Sequence, residues 1–397
     1  MAHPRLRPVE IVMVGTGARR ALVLRDTEGV AEEPVVLHPS VARLLHLFDG
    51  RHGLDEIASF AGVEASDVAD LVTILDEGLM LESAAFEHAK RTVADRFRAS
   101  AVREASHAGG AYPGDAKELG RYIDETCLGR VTEPHAVQGR MVGLVAPHID
   151  PWRGATNYGH AYRTLRDSLP PDVDTFVVLG TSHAPMREPF ALCEKDFATP
   201  FGDVTTDRDA VRLLAQAASF DAHYDVLNHK REHSIELQTI FLKRLAGDRK
   251  VRIVPILAGL GAAQSAVRAP TDDDAAGAFL AELGRWVRDR GAVLIAGADL
   301  AHVGPRFGDV APGRAARSAL EARDLASLAL ASPTRSAEFF THVSEDQDER
   351  RVCGVGPMFS LLAAIDPRAV PKLLRYEQTI DAEDGSIVSH AAVAYTV

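Results

Sequence analysis

Apolar and polar positions follow two rhythms along the 397 residues, and the rhythm changes near residue 103. Before that point, Val9-Glu-Ile-Val-Met-Val14 and Ala21-Leu-Val-Leu24 flank Gly15-Thr-Gly17, the pattern of a β-hairpin with a glycine turn. Ser40 is placed to cap a helix that carries Val41, Leu44, Leu45 and Phe48 and closes at Gly50. A second helix is expected over 54–61. Ser66 then precedes Val68, Leu71, Val72 and Leu75, one face of a helix, and Gly78-Leu-Met-Leu81 reads as a short strand. Residues 84–102, rich in Ala, Glu and Arg, make a helical connector. The expected organisation is a small α+β domain over 1–83, the connector over 84–102 and an α/β domain over 103–397.

From Arg103 onward apolar strand candidates alternate with longer helical patterns. Strands are expected at 142–146, 175–179, 251–257 and 292–296, and helices at 154–168, 232–246, 275–290 and 313–331. Such alternation specifies a doubly wound α/β domain, which binds ligands at the carboxyl ends of its strands. Polar groups collect at those ends. Leu144-Val-Ala-Pro147 leads into His148 and Asp150, with Pro147 unable to donate to a sheet. Phe176-Val-Val-Leu179 leads into Gly180-Thr-Ser-His183, and Val293–Ala296 into Gly297-Ala-Asp299-Leu-Ala-His302. One histidine after a strand carries little weight, because most are surface or satisfied core residues. Three at equivalent positions can converge within metal-ligand or hydrogen-bond reach.

Composition narrows the function by exclusion. A hydrophobic content of 46 % with mixed charge describes a globular chain that can bury a core. A net charge of -12, with no long run of Lys or Arg, opposes binding to nucleic acid or to anionic membranes. No window of about 18 apolar residues and no export signal is visible, so the expectation is a cytoplasmic protein that does not span a membrane. Cys127, Cys193 and Cys353 are scattered, which suits a reducing compartment better than a disulfide framework.

Further groups supplement the strand-end histidines. Glu232-His233 begins a helix whose Ile235, Ile240, Phe241 and Leu245 face the core, placing the pair at the positive end of the helix dipole. Cys353 precedes an apolar helix, where the dipole with Arg350 and Arg351 would favour thiolate, the species that binds metal; a small buried hydrophobe is the alternative. Two imidazoles and one anionic ligand leave open positions suited to iron, copper or zinc. His302 and His233 are candidates to move protons, with Asp299 orienting a ring. The chain lacks a Gly-x-Ser-x-Gly elbow, a phosphate-cradling loop and a His-Glu-x-x-His helix.

Several segments share their order with a known family: Arg103-Glu-Ala-Ser-His-Ala-Gly-Gly-Ala-Tyr112, Ala146-Pro-His148, Leu179-Gly-Thr-Ser-His183, Glu232-His-Ser-Ile-Glu236, Ala298-Asp-Leu-Ala-His302, Cys353-Gly354 and Val388-Ser-His-Ala-Ala392. Over about residues 103–397 they resemble the Memo family and its bacterial members called AmmeMemoRadiSam system protein B. The resemblance implies a fold similar to class III extradiol dioxygenases, which cleave catechol rings with non-haem iron. It implies iron or copper on His148, His183 and Cys353, an acid/base role for His302 with Asp299, and a pocket lined by His233, Glu232 and His107. Two departures bear on the activity. Cys353 stands where the ring-cleaving enzymes use a carboxylate, which favours softer metals, so dioxygenase chemistry does not follow from the fold. After His148 the chain reads Ile-Asp150-Pro-Trp-Arg153-Gly where eukaryotic relatives have Ala-Gly-Tyr. Asp150 and Arg153 would shape a pocket for an anionic substrate, or hold the loop as a pair.

In the N-terminal region, three helices followed by a strand spell a winged helix. With Leu47-Phe-Asp-Gly50 and Glu77-Gly-Leu-Met80 it is similar to winged-helix domains of the PqqD type, which bind peptides in modification pathways. Residues 1–82 hold 7 Lys and Arg against 14 Asp and Glu, which favours a protein or peptide partner over DNA. The alternative is an appendage that contacts only its own second domain. The sequence thus points to a metal-dependent oxidoreductase with an unknown small-molecule or peptide substrate, acting with a radical-SAM system. The alternative is a non-catalytic scaffold with a vestigial metal site, holding a partner through its N-terminal module.

Overall fold

The computed structural model describes residues 2–15, 20–132, 137–247 and 249–397. The chain divides into two compact units, Met1–Ser100 with His183–Pro185, and Ala101–Ser182 with Met186–Val397.

In the first unit, β1 (Glu10–Val14), β2 (Ala21–Arg25) and β3 (Val35–Leu37) form an antiparallel sheet in that order. Helices α1 (Leu54–Ala61), α2 (Ala65–Glu77) and α3 (Ala84–Ala99) follow. Leu22 and Leu24 pack with Leu45, Ile57, Val72 and Leu75 into one core. The expected hairpin is β1 with β2; of its turn, residues 16–19 lie outside the described residues. The helix expected after Ser40 is instead two 3₁₀ turns, Pro39–Arg43 and Leu45–Leu47. Pro39 takes the first helical position, so the cap falls on His38, whose ring nitrogen accepts the Ser40 amide. Nor does Gly78–Leu81 form a regular strand. The Met80 amide donates back to the Leu75 carbonyl at 2.8 Å, closing α2, and Leu79 adopts φ 59°. Leu81 meets Leu6 in an isolated bridge.

The strands of the second unit are β4 (Val102–Arg103), β5 (Met141–Ala146), β6 (Thr175–Thr181), β7 (Phe190–Leu192), β8 (Asp196–Phe197), β9 (Thr205–Thr206), β10 (Arg252–Ala258), β11 (Val293–Gly297), β12 (Asp299–Val303), β13 (Val370–Ile380) and β14 (Ile387–Thr396). Its helices are α4 (Ala116–Arg121), α5 (Pro151–Ser168), α6 (Arg208–Ala217), α7 (His233–Ala246), α8 (Gly261–Ser265), α9 (Ala275–Arg290), α10 (Arg314–Leu330), α11 (Ser336–Ser344) and α12 (Val355–Ala364). The main sheet is mixed. Its centre, β5-β11-β6-β10, is parallel, whereas β14 runs antiparallel to β5 and β7 antiparallel to β10. Leu179 and Ala296 turn one way, into a core shared with Met358 and Phe359 of α12. Their neighbours Gly180 and Gly297 turn the other way, toward α7. A Cβ on Gly180 would stand 2.5 Å from Ser234 Oγ, and one on Gly297 would stand 2.4 Å from the Ser234 carbonyl oxygen. The missing side chains let the first turn of α7 settle directly on the strand ends.

The third strand end is built differently from the expected one. Asp299–Val303 is itself strand β12, paired antiparallel with the Ile387–His390 part of β14, while β5 pairs with Val393–Thr396. Since β13 occupies the other edge of β14, β12 prolongs the row of β5 past its carboxyl end. Asp299 comes to lie beside His148, and His302 lies farther along the row.

Candidate metal centre

His148 is the most constrained member of the site. Its ring Nδ1 lies 2.9 Å from the Gly297 carbonyl, which can only accept, so Nδ1 carries a proton and the neutral ring keeps its lone pair on Nε2. The His148 amide donates to Asp299 Oδ1 at 2.9 Å, and Asp299 Oδ2 lies 3.7 Å from Nε2. His148 and Asp299 are each 1 % exposed. Pairing of Ala146 with Gly297 brings that carbonyl beside the end of β5, so strand register sets the ring's tautomer.

His148 Nε2 points at Cys353 Sγ, 3.1 Å away. Two backbone contacts fix the cysteine: Thr181 Oγ1 donates to the Cys353 carbonyl at 2.9 Å, and the Gly354 amide donates to the Asp299 carbonyl at 3.0 Å. Gly354 caps α12, so Cys353 sits just ahead of a helix start, where the dipole favours thiolate. The arginines expected to assist are engaged elsewhere. Arg350 is buried against Asp324 and Asp346, at 2.9 and 2.7 Å, and Arg351 pairs with Asp309. Their charge is matched locally, and their role is to anchor the loop that carries Cys353.

His183, two residues beyond β6, completes the set: one ligand atom each from His148, His183 and Cys353 lie within 4.8 Å of one another. His183 also groups with Glu232 and His233 by the same measure. Glu232 is the N-cap of α7, its Oε1 accepting the Ser234 amide at 3.0 Å and lying 3.4 Å from His233 Nδ1. The His233 ring stands at 90° to that of His148, with centroids 5.4 Å apart. Two imidazoles and a thiolate match a transition metal of borderline or soft character, as iron, copper and zinc are.

Glu236, absent from the sequence-derived site, organises the other side of His233. It is fully buried and accepts from Arg103 Nη1, Ser106 Oγ, the His107 amide, His107 Nδ1 and Tyr112 OH. Burial pushes its carboxyl up, but Arg103 first, then His107 and Tyr112, outweigh that and hold it at about 2. The segment 103–112 is therefore wrapped around one carboxylate on α7, and Arg103 is a buried ion-pair partner at the end of the connector. In the sequence Glu236 was marked by its position one turn after Glu232-His233 and as the end of the shared segment Glu232-His-Ser-Ile-Glu236. His107 stands edge-on to His233, centroids 5.5 Å apart.

Other expected residues are placed as follows. His302 Nδ1 donates to the Leu300 carbonyl at 3.1 Å, and its ring packs edge-on against Phe307. Asp150 is the N-cap of α5, accepting from the Arg153 amide and from Arg153 Nε, at 3.1 and 2.5 Å. The two residues form the loop-holding pair. His390, opposite Asp299 on β14, takes a hydrogen bond from Asn157 Nδ2 on Nδ1 and faces Thr379 Oγ1 with Nε2. Burial, with Arg153 and His302 nearby, pushes this imidazole down to about 3 and keeps it neutral.

Comparison with known proteins places this chain in a family. A MEMO1 family protein of Aquifex aeolicus is 28% identical over 382 residues, spanning 94% of this chain and 95% of its own. That span takes in most of the N-terminal unit. A MEMO1 family protein of Thermus thermophilus is 28% identical over 329 residues, 82% of this chain and 92% of the relative. A solved structure of an uncharacterized Escherichia coli K12 protein is 17% identical, covers 64% of this chain and 99% of that one, and superposes with a TM-score of 0.40. Residues 103–394 match the family model described as Memo-like protein, and the chain belongs to the Memo family.

Proposed function

We propose that this chain is a metal-dependent oxidoreductase whose metal is held by His148, His183 and Cys353. The supporting observation is the orientation of His148: its Nδ1 is held on the Gly297 carbonyl, which aims Nε2, the lone-pair nitrogen of the neutral ring, at the Cys353 sulfur 3.1 Å away. A carbonyl that accepts the far ring N–H in this way is how proteins orient metal-ligating histidines. Bound iron or copper would supply redox chemistry, and zinc Lewis acidity. Asp299 steadies His148 through its amide, and His233, edge-on to that ring, would hand a proton to or from a ligand. His302 is the acid/base residue implied by the resemblance to extradiol dioxygenases, and Glu232 lines the pocket. Asp150 and Arg153 hold the loop after His148 as a pair. The substrate is a small molecule or peptide, with a radical-SAM protein as the pathway partner. Dioxygen uptake by the iron- or copper-loaded full chain, supplied with a deproteinised cell extract, tests this reading. The expected result is uptake that His148→Ala abolishes; no metal-dependent uptake with either ion would overturn it.

A second reading, a scaffold with a vestigial metal site, is favoured by one observation. Ile11, Met13, Val14 and Val36 are exposed on the small N-terminal sheet, in a region of acidic balance. Capture of a radical-SAM protein by the full chain, lost in Val36→Asp and unaccompanied by dioxygen uptake, would establish it instead.

A further inference from the structure

We propose that His107 contacts the ligand of this site and that Glu236 fixes it to present Nε2 as a hydrogen-bond acceptor, so that the site selects ligands offering a hydroxyl or another protic donor there. The inference deepens the reading of the pocket around His148 and rests on it.

Three observations carry the argument. Each contact of Glu236 among those above comes from a donor, so its carboxylate is an ionised, acceptor-only group. Its depressed ionisation range, about 2, agrees. His107 Nδ1, 2.9 Å from Glu236 Oε2, therefore carries a proton, and in the neutral ring Nε2 keeps the lone pair. Second, Nε2 has no hydrogen-bond partner among the described residues, while the side chain keeps 27% exposure. Third, the His107 ring stands edge-on to His233, and His233 edge-on to His148. The unsatisfied acceptor thus belongs to the row of rings that leads to the metal ligands. An apolar or acceptor group set against it would leave that nitrogen unpaired, whereas a hydroxyl would satisfy it. Glu236 acts through His107 and is a positioning residue.

Two-bond ¹H–¹⁵N correlation spectra of the full chain, labelled at histidine, read the tautomer directly. The expected His107 pattern is protonated Nδ1 and lone-pair Nε2 at neutral pH. Glu236→Gln, which can turn an amide N–H toward Nδ1, shifts the population toward the Nε2–H form. Tyr112→Phe, which removes a donor to Glu236 but keeps the carboxylate–imidazole pair, leaves the wild-type pattern and controls for misfolding. Phenol then moves the His107 Nε2 resonance and anisole, its methyl ether, does not. A wild-type Nε2–H tautomer, an unchanged tautomer in Glu236→Gln, or the same response to phenol and anisole, including none to either, would overturn the proposal. Metal content separates the two readings. His107→Gln keeps wild-type metal content if His107 is no ligand, and a wild-type chain that binds no metal sinks the metal reading while the tautomer result stands.

Discussion

His148 Nε2 and Cys353 Sγ lie 3.1 Å apart although 205 residues separate them in the chain. The Gly297 carbonyl orients the first, and the Thr181 hydroxyl, through the Cys353 carbonyl, holds the second. Thr181→Val deletes that hydroxyl at nearly constant volume and changes no ligating atom. It is expected to weaken metal affinity by about 10–100-fold, the usual effect of losing an outer-shell partner. Chelator competition measures it, and an unchanged affinity would remove Thr181 from the support of the site.

The seating of α7 depends on two positions without side chains. Gly180→Ala forces a methyl to 2.5 Å from Ser234 Oγ and 2.6 Å from Ile235 Cγ1. Overpacking of this kind costs about 1–3 kcal/mol, which urea unfolding would register. Because the displaced turn carries Glu232 and His233, ligand binding should weaken in the same variant; Gly261→Ala, where a Cβ meets nothing within 4 Å, should do neither.

Glu236 predicts an acid limb. Its carboxyl is lowered from 4.5 to about 2 by Arg103, His107 and Tyr112 acting against burial. The folded form binds the proton less readily than the unfolded one, so the stabilisation is complete above 4.5 and is lost as pH falls from 4.5 toward 2. The amount is on the order of 3 kcal/mol. Thermal melts should show that loss for the wild-type chain, and Glu236→Gln should be less stable at pH 7 but flatter below pH 4.5.

Two buried histidines act at higher pH. Burial lowers His229 from 6.5 to about 4, opposed by its bond to the Ala191 carbonyl, and lowers His390 from 6.5 to about 3. Both are neutral in the fold and charge more easily when unfolded. Their stabilisation is therefore full above 6.5 and falls as pH drops below it. Between pH 7 and 5 each should contribute a loss of ~2 kcal/mol, and His390→Gln should remove its share of that slope. An identical slope in the variant would contradict the burial argument.

The parallel strands β5, β6, β10 and β11 were legible because burial on both faces writes each as an unbroken apolar run. Helix α7 was legible from the cap Glu232 and its periodic apolar residues. What the chain conceals is pairing. Nothing local to Asp299–Val303 announces that it will pair with Ile387–His390, and Val41, Leu44, Leu45 and Phe48 at helical spacing do not reveal that the segment forms two 3₁₀ turns capped by His38. The same limit applies to the site. His148, His183 and Cys353 were found because ligand residue types stand at strand and helix ends. Glu236 was passed over because a glutamate on a helix is ordinarily solvated, and only the fold brings Arg103, His107 and Tyr112 to it. Arg350 and Arg351 were credited to Cys353 by proximity in sequence, whereas their guanidinium groups face Asp324, Asp346 and Asp309.

X-ray absorption at the metal edge of the full chain, purified without chelators, tests the central claim most directly. The predicted spectrum contains one sulfur neighbour at about 2.3 Å with nitrogen neighbours near ~2.0–2.1 Å, the usual distances for cysteine and histidine on zinc and a guide for similar ions. In Cys353→Ser the sulfur shell should vanish, and in His148→Ala the bound metal should fall to a small fraction of wild type. A metal coordinated by oxygen and nitrogen alone in the wild-type chain, or a sulfur shell that survives in Cys353→Ser, would contradict a centre built on His148, His183 and Cys353.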